Sequence, residues 1–238
     1  MSDKMPPLEP IPGSKFWASS PSDVLVANLE DALLVVRLGC AANALVSQRR
    51  FAAAAAKADG IAAARDLSAA MVISSGVTKE ALKLIEANHQ RVIDWSTVAG
   101  VPPEVLKEFS ELRNGTHPAS KLLTRIRNKL GFHFDPEVLR QALTELAEHE
   151  SVIWVETGQL TAAELVHRLS SDAILTAIAP EPEEFKVWSP DERKRAGQER
   201  VRQALAVIGD AMTCVDLVIQ YAVKAFLRAH GVDIQRSG

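Results

Sequence analysis

Arg127, Asn128 and His133 fall within one short stretch, RIRNKLGFHFDPEVL, positions 125–139. Arginine is a permanent cation whose forked donor face suits two oxygens of one phosphate. An imidazole titrates near about 6.5, so His133 can take or give a proton at neutral pH. Asn128 adds a neutral donor and acceptor able to orient the phosphate or the histidine. The set suits proton transfer at a phosphate ester. The other histidines (His89, His117, His149, His167 and His230) do not share a helix face at metal-ligand spacing. The chain has no CxxC, HExxH, glycine-rich phosphate loop or GxSxG elbow. Neither a metal nor a cofactor is expected.

These residues need a helix, a turn and a second helix to hold them. At 100° per residue Leu122, Leu123, Ile126 and Leu130 form one apolar stripe, with Lys121, Arg125 and Lys129 in a row beside it. Arg127 falls on the other flank, at a boundary where a guanidinium reaches solvent without burial. Gly131 ends the helix. Asp135 is a natural N-cap, Pro136 suits the first turn, and Glu137 favours the positive end of the dipole of a helix over about 136–149. His133 therefore sits just ahead of a helix N-terminus, which favours a phosphate and disfavours a protonated imidazole. A second candidate, RNGTH at Arg113–His117, lies in a glycine-containing loop and reads as a turn.

The motif Arg127-Asn128-KLGF-His133 resembles that of the HEPN superfamily, in which an Arg precedes a His by four to six intervening residues, often with a polar residue directly after the Arg. The likeness covers about residues 21–149 and, outside the motif, rests on helical architecture. It implies a composite site formed by two protomers. It also implies metal-independent RNA cleavage, with Arg127 stabilising the phosphate, His133 as acid/base and Asn128 orienting one of them. Such proteins include toxins and defence effectors, so the expected partners are RNA, a second copy and an antitoxin or nucleotidyltransferase. Other members are inactive. The alternative is thus a noncatalytic helical dimer that binds a protein or nucleotide, with Arg127 and His133 capping a helix junction.

The remaining sequence is that of an all-α protein. With 238 residues, 47% of them apolar, the chain can bury a substantial core, and a net charge of -3 confines any nucleic-acid footprint to a local patch. Residues 1–20 read as a flexible N-terminal segment and 21–238 as a single helical domain, an antiparallel bundle. Ser20 and Pro21 start a helix reaching about Arg49, and Gly60 marks a break. Helices follow over 61–74 and 78–94, separated by SSGVT, and over VPPEVLKEFSELRN. Thr161 and Glu164 form a capping box for a helix ending near Ala179, and Ser189 and Glu192 form another that opens the longest helix, about 190–230. ESVIWVETG and FKVW (185–188) are the strand candidates, enough for a minor two-stranded element.

Along the last helix Val201, Leu205, Ile208, Met212, Val215, Ile219, Ala222 and Phe226 recur at spacings of four and three. This seam suits a bundle core or a dimer interface. Glu30 and Asp31 read as ion-pair partners of Arg37, and Cys40 and Cys214 as buried thiols without a disulfide. Polar residues interrupt both long apolar runs, 24–46 and 211–227, so no membrane span is expected. Two acidic residues among the first nine and no signal-length apolar core point to the cytoplasm.

Overall fold

The computed structural model describes residues 29–57, 61–131, 135–148, 170–171, 173–178 and 187–230, and among these every regular element is helical. In chain order they are α1 (Leu29–Ala55), α2 (Ile61–Glu86), α3 (His89–Val98), α4 (Pro103–Asn114), α5 (Pro118–Arg125), a π-helix (Ile126–Gly131), α6 (Pro136–Glu148) and α7 (Pro190–Ala229). The protein is an all-α bundle. Its axis is α7, which packs against α1, α2, α3, α4 and α5.

Capping explains where several helices begin. Ser189 accepts from the Glu192 amide while the Glu192 carboxylate accepts from the Ser189 amide, and Pro190 follows as the first helical residue. The Asp135 carboxylate accepts from the amides of Glu137 and Val138, as its position predicts. Gly115 ends α4 at φ +80°, a left-handed conformation that costs glycine nothing. His117 then caps α5 by accepting from the Ala119 amide through Nδ1. RNGTH is a helix-to-helix turn, as read.

The heptad seam of α7 is used inside the chain. Val201, Leu205, Ile208, Met212, Val215, Ile219, Ala222 and Phe226 are all buried among the neighbouring helices, which leaves the seam no surface to offer a second copy. Burying each large aliphatic residue of this kind stabilises the fold by about 1.5–3 kcal/mol. Arg195–Ala229 is long and apolar enough to cross a membrane by length and composition, but half of its most apolar stretch is buried within the protein. Asp216 interrupts it at 1% exposure, where it accepts from Arg49 of α1 at 2.5 Å and from Gln220 at 2.9 Å. A buried carboxylate is tolerable because its charge is paired. Ser96 of α3 adds a polar tie, its hydroxyl lying 2.7 Å from the Val92 carbonyl and 3.0 Å from that of Val218 in α7.

Four expectations need correction. SSGVT does not divide two helices: α2 runs through it, with Ser74, Ser75, Gly76 and Thr78 buried and the Thr78 hydroxyl donating to the Ser74 carbonyl at 2.7 Å. Small residues here give close packing instead of a break. The chain breaks at Ala87 and Asn88, where the Asn88 side-chain Nδ2 donates to the Leu84 carbonyl at 2.9 Å. Asp31 pairs with Arg91 of α3 at 2.7 Å, not with Arg37. Cys40 is exposed, and only Cys214 is buried. Val187 and Trp188, the described half of FKVW, lie exposed in a turn ahead of the Ser189 cap and form no strand. Ser20, Pro21, the strand candidate at 152–155 and the Thr161–Glu164 box lie outside the described residues.

Candidate functional site

The apolar stripe places the motif helix. Leu123, Ile126 and Leu130 are buried against the core, and this anchors α5 and the π-helix onto α2. From Ile126 the backbone widens into a π-helix, a form uncommon in proteins and frequent at functional sites. Sequence patterning carried no signal for it. The wider turn carries Arg127 and Asn128.

Arg127 is partly exposed, its side chain at 30% of full accessibility. It donates to Glu80 Oε1 of α2 at 2.7 Å and to Asn128 Oδ1 at 3.2 Å. Lys83 binds the same Glu80 oxygen at 3.1 Å. Lys83, followed by Arg127, holds the Glu80 carboxyl below its usual range by hydrogen bonding, against a small opposing effect of burial. Arg127 is therefore held in place by a carboxylate at the edge of the bundle, as its flank position suggested. His133 lies outside the described residues.

Asn128 also borders a groove of about 480 Å³ lined by Lys79, Arg113, Ser120, Lys121, Thr124 and Arg125. Among the described residues no carboxylate lines it. Lys79, Lys121 and Arg125 have no carboxylate partner among the described residues. Arg49, Arg91, Lys83, Lys107, Arg127 and Arg140 each have one. Unneutralised cations converging on one concave face make a site for a polyanion. Ser120 and Thr124 add hydroxyls, although the Ser120 hydroxyl already donates to the Leu112 carbonyl at 3.1 Å.

Arg113 continues the groove into a second recess, shared with His89 and Glu86. There the Arg113 guanidinium donates to His89 Nε2. Sequence reading set His89 aside, took Arg113 only as part of the RNGTH turn, and missed Lys79. One signal was legible: between Pro118 and Gly131 the chain has four cations, Lys121, Arg125, Arg127 and Lys129, and no Asp or Glu. A helix face without internal ion pairs leaves its charge available.

The molecule is thus an all-α bundle with a basic groove at the junction of α2, α4, α5 and the π-helix. Compared with protein-family models, with curated proteins and with solved structures, the chain matches none. Among the described residues no three His, Cys, Asp or Glu side chains gather as a metal site.

Proposed function

We propose that the protein is a HEPN-like endoribonuclease that binds the RNA backbone in the groove beside Asn128 and cleaves it with Arg127, Asn128 and His133. One observation carries this reading: the residue directly after Arg127 lines a groove with four cations, Lys79, Arg113, Lys121 and Arg125, that no described carboxylate neutralises. Backbone phosphates would fill it, since phosphate contacts supply most sequence-independent affinity. His133 takes the proton of a ribose 2'-hydroxyl, whose oxygen bonds to the adjacent phosphorus. The P–O5' bond breaks, and the 5' oxygen leaves with a proton returned by an acid. Products are a 2',3'-cyclic phosphate and a 5'-hydroxyl. Arg127 stabilises the charge that gathers on the phosphate oxygens in the transition state. Each chain of a dimer supplies one such set, and an antitoxin or nucleotidyltransferase would be a protein partner.

A second reading has its own support. Arg127 is committed to Glu80, as it would be in a noncatalytic helical dimer that binds its ligand without cutting it. Incubating the purified chain with total RNA and a chelator, beside His133→Ala and Arg127→Lys, separates the two. Cleavage by the parent, reduced about 10²-fold to 10⁴-fold in His133→Ala, supports the enzyme. Binding without cleavage by the parent sinks it in favour of the second reading.

A further inference from the structure

Helix α1 carries apolar residues around its whole circumference, yet the chain covers only part of it. Leu34, Leu38 and Leu45 are buried on one side, where α1 packs on α2 and α7. On the opposite side Leu29, Leu33 and Val36 are 74%, 51% and 54% exposed, and Cys40 is exposed beside them. Their spacings of four, three and four place all four within an arc of about 60°. This is the repeat by which one helix packs lengthwise on another, and it lies on a face that the described residues do not cover. No residue of α1 lines either recess of the basic groove.

The charges flanking this stripe indicate what covers it. Glu30 and Arg37 share one flank, seven residues apart, both exposed, and neither has an ion pair among the described residues. A twofold axis perpendicular to two antiparallel α1 helices keeps the same flank of each on the same side. With Leu33 packed against Val36 of the partner subunit, Leu29 meets Cys40 of the partner subunit. Glu30 then comes opposite Arg37 of the partner subunit, twice by symmetry. A parallel pairing, whose twofold runs along the helices, puts the Glu30 and Arg37 flank of one copy on the opposite side of the seam from that of the other and leaves all four charges unmatched.

We propose that α1 is a self-complementary docking helix, joining two copies of the chain antiparallel through Leu29, Leu33, Val36 and Cys40 with two Glu30–Arg37 pairs between them. The interface is separate from the buried α7 seam, and it leaves the groove of each copy open to ligand. It does not depend on the ribonuclease reading.

Sedimentation equilibrium of the full chain at micromolar concentration tests the pairing, and the expected mass is that of two chains. Val36→Glu should give a monomer with an unchanged helical circular dichroism spectrum. Glu30→Arg or Arg37→Glu alone should each weaken dimerisation by roughly tenfold, because each sets like charges opposite one another twice. The double exchange, Glu30→Arg with Arg37→Glu, should restore it to within about threefold. In the antiparallel register the two Cys40 residues stand roughly 16 Å apart along the helices, far beyond the about 7 Å limit for a disulfide. Mild oxidation should therefore leave the dimer unlinked. A monomeric parent chain, a double exchange no better than the single ones, or ready formation of a Cys40-linked dimer would each overturn the proposal.

Discussion

Arg127 donates to Glu80 across 2.7 Å, tying the π-helix that follows α5 to α2. The carboxylate is shared with Lys83, and both partners are accessible to solvent. Glu80 therefore acts as a removable restraint on the one arginine of the motif.

Replacing Glu80 by Gln should free the guanidinium for an external phosphate while costing less than about 1 kcal/mol of stability, as for other exposed pairs. RNA affinity of Glu80→Gln, measured by fluorescence anisotropy, should rise. A fall would mean that Glu80 positions Arg127 for binding instead of competing with it.

The same pair sets a pH dependence. Because the folded carboxyl titrates below its ordinary value of 4.5, its small contribution is present above that value and lost as pH falls through the lowered one. Parent and Glu80→Gln melting temperatures should differ at neutral pH and converge in strong acid.

Lys121→Ala with Arg125→Ala should weaken RNA binding across sequences alike and flatten its salt dependence. Each lost phosphate contact removes roughly 0.7–0.9 from the slope of log K against log salt. An unchanged slope would take these two cations out of the footprint.

Arg49→Ala should destabilise the bundle by about 3 kcal/mol, because it strands the buried Asp216 carboxylate, whose other partner in this contact is Gln220. Urea denaturation measures the loss. Replacing Arg50, its exposed neighbour in α1 with no described ion pair, should leave stability within about 0.5 kcal/mol.

Cys214 should stay unlabelled when the native protein meets a thiol reagent. Burial, helped by the nearby Glu108 carboxylate, pushes the Cys214 thiol up to about 12, so it holds no thiolate at neutral pH. Two equivalents of label on the folded chain would contradict its burial.

Sequence by itself determined the local features of this protein. The Ser189–Glu192 capping box, the Asp135 cap, the αL glycine at 115 and the apolar stripe Leu122–Leu130 each depend on residues within a turn or two of one another. A linear pattern can express them. It also determined the all-α class and the long last helix.

Tertiary structure alone decided which of these features face solvent and which charges stay unneutralised. SSGVT carries breaker residues, yet close packing keeps it helical. The α7 seam could have joined two chains, and instead five helices of its own chain cover it. Arg127 finds its carboxylate 47 positions away and Arg49 finds Asp216 at a separation of 167. Lys79, Lys121 and Arg125 find none among the described residues, and only that difference makes a groove from cations that look alike in sequence. The physical reason is range: capping and helical periodicity act over a few residues, whereas burial and charge pairing are properties of surfaces that meet only when the chain has folded.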